Sequence, residues 1–207
     1  MTAKGDSGFS IIELLIVLGM LMILVGIAVG NYAQLTTRAK RSRVLSDHKT
    51  IRVGLESYFV DQNAYPRMAS SLYKDPSFDF IDGTPVSGVL SKVVSTPIAY
   101  LTTSVMPDPF MVSRRDAPLD ERLYTYQVLS VYVTRNPTSE FWPRALSYYG
   151  EYRLGSVGPD LVFDHLFLNS AQLPYDPTNG IISLGNIWTA HKPSEICPEV
   201  PHLLGYH

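Results

Sequence analysis

Two patterns of hydrophobic and polar residues follow each other in the first third of the chain. Residues 9–29 are almost wholly apolar, and about 20 such residues are what a helix needs to cross a bilayer. From residue 31 to about residue 63, apolar residues recur every three to five positions, as on one face of an amphipathic helix. This stripe consists of Tyr32, Leu35, Ala39, Val44, His48, Ile51, Leu55 and Tyr58 with Phe59. The opposite face carries Arg38, Arg41, Asp47, Lys49, Arg52 and Glu56.

The two patterns predict one continuous helix. No proline interrupts residues 9–65, so the apolar half and the amphipathic half can share one axis. Gly26 and Gly30 weaken the middle by about 1 kcal/mol each relative to alanine. We expect Tyr65-Pro66 to end the helix.

The remainder of the chain has the pattern of a loop-rich domain with short strands, and its thirteen tyrosines and fifteen prolines fit a β-rich composition. Residues 87–95 predict a short helix, ended by Thr96-Pro97. Alternating or aromatic runs predict strands within residues 123–133, 146–154 and 161–163. An antiparallel sheet of these strands, laid against the apolar stripe, would bury both surfaces. The expected fold class is therefore α+β.

One charged residue stands inside the apolar run. An unpaired Glu13 in a membrane costs at least about 2.5 kcal/mol, so we expect it to have a partner. Gly8, directly before the run, is the kind of small residue that a processing protease needs at its cut site. Cleavage there would create an amine at Phe9, four residues before Glu13 and on the same helix face. The pair can form within one chain or, more favourably, between chains staggered along an axis. The alternative is a plain membrane anchor that tolerates a glutamate.

Residues 8–15 resemble the processing and methylation signature of type IV pilins and of the pseudopilins of type II secretion. The resemblance implies that a prepilin peptidase cuts between Gly8 and Phe9 and methylates the new Phe9 amine. It also implies that Glu13 is the assembly residue. The implied organisation is a leader (1–8), a transmembrane and assembly helix (9–30), the amphipathic half of the same helix (31–65) and an exported β-rich domain (66–207). The implied fold is pilin-like, with the long helix packed on a small antiparallel sheet.

Further segments extend the resemblance, which is strong over residues 8–66 and patchy over residues 96–187. Residues 55–66 resemble the end of the first helix in major pseudopilins, and residues 152–160 and 175–187 resemble the end of major pseudopilin-like proteins. The family usually has a proline near Gly30, which this chain lacks.

The resemblance also raises the question of calcium, because classical major secretion pseudopilins bind it in this C-terminal region. It implies Asp160 and Asn186 as candidate calcium ligands, with no other cofactor required. Asn186 stands where the family commonly has Asp, which lowers the ligand charge. The alternative is that Asp160, Asp176 and Asn186 are turn residues next to glycine and proline.

Charge adds two observations. The formal net charge of −2 gives no indication of a nucleic-acid partner. A basic cluster, Arg38, Lys40, Arg41 and Arg43, follows the apolar run, and it can bind phosphates of lipids or DNA or simply snorkel at the membrane boundary. The cluster has no interleaved aromatic platform, which favours snorkelling. The positive-inside rule alone would place the C-terminal side in the cytoplasm, whereas the resemblance requires that side to be exported.

Nothing in the sequence indicates catalysis. A single cysteine, Cys197, excludes an intrachain disulfide, and His191, Cys197 and His202 match no zinc spacing. The chain has no nucleophile elbow, phosphate loop or zinc-protease motif. The acidic residues Asp108, Asp116, Asp120 and Glu121 have no recognisable partner in sequence. We therefore expect no enzyme.

The expected function is that of a structural subunit of a type II secretion-like pseudopilus. Its expected partners are copies of itself, the prepilin peptidase, other pseudopilins and an inner-membrane assembly platform with its ATPase. The expected location is the bacterial inner membrane, crossed once, and then a periplasmic or extracellular filament. Two alternatives stay open. One is a type IV pilin for adhesion, motility or DNA uptake, although the missing cysteine pair speaks against a classical major pilin. The other is a membrane-tethered binding domain or enzyme that never assembles.

Overall fold

The structure, a computed structural model, describes residues 9–70, 78–80, 87–117, 122–161, 178 and 185–192, with Gly30, residues 78–80 and Ser87 described by backbone only. Its first element is α1, Ile11–Gln62, a single α-helix of 52 residues. The prediction of one continuous helix is thus confirmed. The helix ends slightly before Tyr65-Pro66, because Asn63 adopts a left-handed conformation (φ 52°) and its N–H donates to the Phe59 carbonyl. Such a residue closes a helix without a proline.

Two three-stranded sheets follow α1. The first contains β1 (Met68–Ser70), β2 (Phe78–Phe80) and β3 (Ser87–Leu90) in the order β2-β1-β3, with β1 parallel to β2 and antiparallel to β3. The second contains β4 (Thr125–Val128), β5 (Tyr152–Ser156) and β6 (Ile187–Ala190) in the order β4-β5-β6, antiparallel throughout. Strand β3 lies beside β4, so the sheets abut.

The second sheet packs on one face of α1, as the sequence predicts. Val44, Ile51 and Leu55 of the helix share one buried cluster with Tyr126, Tyr152 and Leu154 of the sheet. The architecture is therefore α+β and pilin-like: a long N-terminal helix whose second half packs on a small antiparallel sheet, with a small mixed sheet beside it. The first part of the predicted stripe is wrong, because Tyr32, Leu35 and Ala39 are exposed. Thr37 is the first residue of α1 that the domain buries.

Three local predictions are also wrong. Residues 87–95 form β3 and a 3₁₀-helix, Lys92–Val94, instead of one α-helix. The run 123–133 is a strand only in β4 and continues as α2, Leu129–Arg135. The run 146–154 begins inside α3, Phe141–Tyr149, and becomes a strand only at β5. Leu161 lies in no strand, and residues 162–163 are outside the described residues.

Packing between α2 and α3 explains two of these misses. Leu129, Trp142, Ala145 and Tyr149 form a separate buried cluster. The rings of Tyr132 and Trp142 stack with centroids 4.5 Å apart. The aromatic and β-branched residues that favour strands in isolation therefore fill the interface of two short helices, where tertiary packing outweighs intrinsic propensity.

Asp108 has partners that the sequence did not reveal. Its side chain is fully buried, Oδ1 accepts from the Phe110 N–H at 2.9 Å and Oδ2 accepts from the Val157 N–H at 2.8 Å. Burial raises the pKa of Asp108, while hydrogen bonds from Ser156, Phe110 and Val157 and the charge of Lys40 act against that rise. The carboxylate thereby joins the loop after residue 107 to the end of β5.

Replacing Asp108 with alanine should lower the free energy of unfolding by about 3 kcal/mol, because each buried N–H left without an acceptor costs about 1–3 kcal/mol. Asp116→Ala is the matched control, since Asp116 is exposed and pairs only with Arg114 at 3.4 Å. It should stay within about 0.5 kcal/mol of the wild type. Denaturant unfolding of the detergent-solubilised chain measures both; equal effects would contradict the role assigned to Asp108.

Candidate assembly site

The polar N-terminus of α1 is closed by a reciprocal pair of hydrogen bonds. Ser10 is the N-cap residue, and its hydroxyl oxygen accepts from the Ile12 N–H at 3.3 Å. Glu13 Oε2 accepts from the Ser10 N–H at 2.9 Å. This is a capping box, which satisfies two N–H groups that a helix start leaves without partners.

The capping box gives Glu13 a partner within its own chain. The expected Phe9 amine does not exist before cleavage, because the Phe9 nitrogen is still an amide of the uncut chain, and Gly8 lies outside the described residues. Cleavage, methylation and the pairing of Glu13 with Phe9 thus stay predictions. The sequence did carry a signal for the capping box: Ser10 and Glu13 have the Ser-x-x-Glu spacing of that motif.

The apolar half of α1 has no cover in the single chain. Large apolar side chains from Phe9 to Val29 are all exposed, on every side of the helix. By length and composition α1 can cross a membrane, and none of its most apolar segment is buried inside the structure. A helix that is hydrophobic all round needs lipid or other helices around it.

Polar contacts join the second half of α1 to the sheet. They show that part of the predicted solvent-facing side of the helix is wrong. Asp47 accepts from the Tyr124 hydroxyl at 2.8 Å. Arg52 donates to the His191 carbonyl at 2.8 Å. Asp47, Arg52 and Glu56 were expected to face solvent, but they border the buried stripe, because the sheet is wide enough to reach their polar ends.

Glu56 is the centre of the largest of these contacts. Its Oε1 accepts from the Tyr152 hydroxyl at 2.9 Å and its Oε2 accepts from the Tyr65 hydroxyl at 3.0 Å. Burial and these bonds to Glu56 raise the pKa of both tyrosines, so both hydroxyls stay protonated donors. The His191 ring stacks on Tyr152 with centroids 5.2 Å apart. The group connects α1 to β5 and to the end of β6.

The basic cluster divides between the domain and solvent. Lys40 and Arg41 are half-buried, and Lys40 Nζ lies 5.5 Å from the centre of the Phe110 ring. Arg43 pairs with Asp47 at 3.6 Å, and Arg38 is exposed. The four charges are therefore not equally accessible: Lys40 and Arg41 pack partly into the domain, whereas Arg38 and Arg43 are exposed.

The two candidate calcium residues lie near each other, at the ends of β5 and β6. Asp160 Oδ2 accepts from the Gly185 N–H at 2.9 Å, and the adjacent Asn186 is buried. Gly158 has a φ of 82°, and a Cβ there would lie only 2.5 Å from the Gly185 carbonyl oxygen. The two chain segments therefore touch through their backbones.

The described residues supply few of the oxygen ligands that calcium would need at this position. Calcium takes six to eight oxygen ligands, as a general rule. Here one oxygen of the single carboxylate already accepts from a backbone N–H, and no group of three His, Cys, Asp or Glu side chains occurs in the described part of the chain. Asp176 lies outside that part. Calcium binding thus stays a prediction, and no role is assigned to the metal.

Of the three C-terminal residues considered for zinc, the described part of the chain includes only His191. His191 belongs to the Glu56 contact, and its Nδ1 accepts from the Glu151 N–H at 3.3 Å. Cys197 and His202 lie outside the described residues, as do Asp120 and Glu121.

The fold and the site together define a pilin-like architecture, in which the apolar half of the helix is uncovered and a glutamate lies near its start. Comparison with known proteins agrees at this coarse level. The chain is similar to two curated proteins named fimbrial protein, both from Pseudomonas aeruginosa, at 30% identity over 87 residues in each case. The match covers 41% of this chain and 55% of each relative, so the chain spans about half the length of the curated relatives it matches. No family model and no solved structure matches the chain.

His48 is the one titratable side chain of α1 that is wholly buried in the described contact with the sheet. Its Nδ1 lies 2.9 Å from the Thr189 hydroxyl oxygen, and its ring meets the Tyr124 ring edge-on. Burial lowers the pKa of His48 from 6.5 to about 3, because the sheet offers the imidazolium no counter-charge.

The free energy of unfolding should therefore decrease as the pH falls, because the folded protein disfavours protonation of His48. Above pH 6.5 the ring is neutral in both states; below it, the unfolded chain binds a proton that the folded chain refuses until about pH 3. The free energy of unfolding should drop by up to about 1.4 kcal/mol per pH unit in this window. His48→Gln should remove that part of the slope in pH-dependent unfolding, whereas Thr189→Val, which keeps the ring, should retain it. An unchanged slope in His48→Gln would contradict the assignment.

At Asp160 we expect the hydrogen bond to the Gly185 N–H to stabilise the fold, and the negative charge to contribute little. Asp160→Asn keeps an oxygen for the Gly185 N–H and should leave the melting temperature close to the wild type. Asp160→Ala should lower the free energy of unfolding by about 1–2 kcal/mol. The readout is the melting temperature of the solubilised chain with calcium and with chelator. Stabilisation by calcium that Asp160→Asn abolishes would instead assign the carboxylate to the metal.

Proposed function

We propose that this protein is a subunit of a membrane-derived helical filament of the pilin type. The observation that supports the proposal most directly is the division of α1 at Thr37. Residues 9–29 are largely apolar and bare, whereas the part of the helix after Thr37 packs against the domain. A membrane can cover the bare part in the single subunit, and the bare parts of neighbouring subunits can cover one another in a filament.

Within this class the finer proposal is a pseudopilus of a type II secretion-like machine. A prepilin peptidase uses water to hydrolyse the Gly8–Phe9 peptide bond and then transfers a methyl group from a methyl donor to the Phe9 amine. An inner-membrane platform with its ATPase, together with other pseudopilins, adds subunits at the membrane. Each added Glu13 meets the Phe9 amine of a neighbour, which neutralises both charges inside the helix bundle.

The similarity to fimbrial proteins favours a second candidate of the same class, a type IV pilus subunit. Both candidates need the same α1 and the same Glu13. Negative-stain electron microscopy of material sheared from cells that express the chain tests the class. Long surface fibres support the pilus, short fibres formed only with a secretion apparatus support the pseudopilus, and a chain that never polymerises would indicate a tethered binding domain or enzyme.

The mature chain should begin at Phe9 and carry one methyl group on its amine. Intact mass of the membrane-extracted protein measures both. Gly8→Leu should leave the precursor uncut, because a bulky side chain blocks the small-residue site. Gly26→Leu, which changes a glycine within the helix, is the control and should still be cut. A mature chain that starts elsewhere would remove the basis of the proposal.

Glu13→Ala and Glu13→Val should insert into the membrane normally and fail to assemble. The apolar replacements favour insertion, but they leave the buried Phe9 amine unpaired at a cost of several kcal/mol. Glu13→Gln is the matched variant, since its amide oxygen can still accept from the Ser10 N–H but carries no charge.

Charge pairing predicts that Glu13→Gln fails as completely as Glu13→Ala, measured as filament yield relative to the processed membrane pool. If Glu13→Gln assembled while Glu13→Ala did not, the capping box would matter and the charge would not. Normal yield from Glu13→Ala would contradict the role of Glu13 altogether.

A further inference from the structure

The contacts along α1 show how far each part of the domain lies from the membrane end of the helix. Phe110 lies beside Lys40, Thr189 beside His48 and Tyr152 beside Glu56. Near the far end of the helix, the Tyr100 hydroxyl donates to Asp61. Because α1 continues from the apolar half into these positions, a lower residue number on α1 means a position closer to the membrane.

Strand β5 therefore runs toward the membrane. It starts at Tyr152, level with Glu56, and the next residue after its end, Val157, donates to Asp108, two residues from Phe110. Pro107 pairs with Leu123 in an isolated bridge, and the Asp108 N–H donates to the Arg122 carbonyl. The chain between these pairs leaves the sheet at its lower end, so residues 109–117 form the membrane-proximal base of the domain.

The base lies within electrostatic reach of a bilayer. Phe110 of the base lies beside Lys40, which follows Val29 by eleven positions, or about 16 Å at 1.5 Å per residue. Headgroups extend about 5–8 Å beyond the hydrocarbon. The remaining gap is comparable to the Debye length of about 8 Å at physiological salt, and extended arginine side chains shorten it further.

The side chains on this base suit an anionic, partly apolar surface. Val112 is 62% exposed, and Arg114 and Arg115 beside it are exposed. Two exposed arginines of α1, Arg38 and Arg43, lie two residues before and three residues after Lys40, near the level of the base.

The carboxylates near the base are largely engaged within the domain. Asp108 is buried, Asp47 accepts from Tyr124 and pairs with Arg43, and Asp160 accepts from Gly185. Asp116 is exposed and pairs with Arg114. Arg38 and Arg115 have no carboxylate partner among the described residues, so the described base presents net positive charge.

We propose that the base formed by Arg38, Arg43, Val112, Arg114 and Arg115 docks on anionic lipid headgroups of the membrane that α1 crosses. The docking holds the domain at one orientation on the exported side while the subunit is unassembled. The inference rests on the membrane anchoring of α1 within the proposed function, but not on filament formation. A single chain in a lipid disc therefore tests it independently of assembly.

The test uses the full chain with Val112→Cys in a Cys197→Ser background, labelled with an environment-sensitive fluorophore. It is placed in nanodiscs of phosphatidylcholine alone and in nanodiscs that also contain phosphatidylglycerol. Acrylamide, a neutral quencher that an anionic surface does not repel, reports the fraction of undocked label. Co-purification of chain and disc confirms the anchor, and its failure would count against the membrane anchoring in the proposed function.

Each arginine near an anionic surface should raise the ratio of docked to undocked label by about fivefold. We expect the label to be protected from quenching in the anionic discs and to lose this protection at high salt. In Arg115→Gln the ratio of docked to undocked label should fall by about fivefold. Arg67→Gln is the control: Arg67 is exposed and lies two residues after Tyr65, whose hydroxyl contacts Glu56 far from the base, so the substitution should change nothing. Equal quenching in the two kinds of disc, or protection that salt and Arg115→Gln leave intact, would overturn the proposal.

Discussion

The packing of one face of α1 on the antiparallel sheet is the interaction on which the rest of the structure depends. It buries Val44, Ile51 and Leu55 among the tyrosines of β4 and β5. It also fixes the height at which the domain begins, and so decides which part of the helix stays bare. If the domain began lower, it would cover the apolar residues that a membrane or a neighbouring helix must contact.

A border of directional contacts sets the position of the helix on the sheet. Hydrophobic burial alone is non-directional and would tolerate sliding by a turn. Asp47 with Tyr124, His48 with Thr189 and Glu56 with two tyrosines each fit at one axial position only. Burial thus supplies most of the attraction, and the polar border supplies a single register.

The sequence predicted the long-range plan better than the local detail. The stripe has a period that only a helix satisfies, and the apolar run before it has the length of a membrane-crossing helix, so α1 and its packing on a sheet were both foreseeable. The runs around Leu129 and Leu146 were not, because their strand-like composition is overridden by packing between α2 and α3. The prediction of a solvent-facing polar side of α1 was wrong for a related reason. Periodicity locates the centre of a buried stripe, but it does not show how far a sheet extends around the helix.

For the candidate site, Glu13 was identifiable because a charge in an apolar run is conspicuous, and its own-chain partner was foreseeable from the spacing to Ser10. Asp108 was not foreseeable. A carboxylate that accepts from a backbone N–H group 49 residues away leaves no local pattern, and here that donor is Val157. The junction of Asp160 with Gly185 is hidden in the same way, by the separation of its members along the chain.

The continuity of α1 has a mechanical consequence. The helix is about 78 Å long, and among its described residues no proline breaks it between anchor and domain. With the apolar half in a bilayer, as proposed, that half and the domain would therefore turn together as one stiff lever. A tilt of about 20°, ordinary for a membrane helix, would carry the middle of the domain sideways by about 16 Å relative to the middle of the apolar half. Local bilayer thickness, which influences such tilts, would then determine the distance between the domains of two neighbouring subunits.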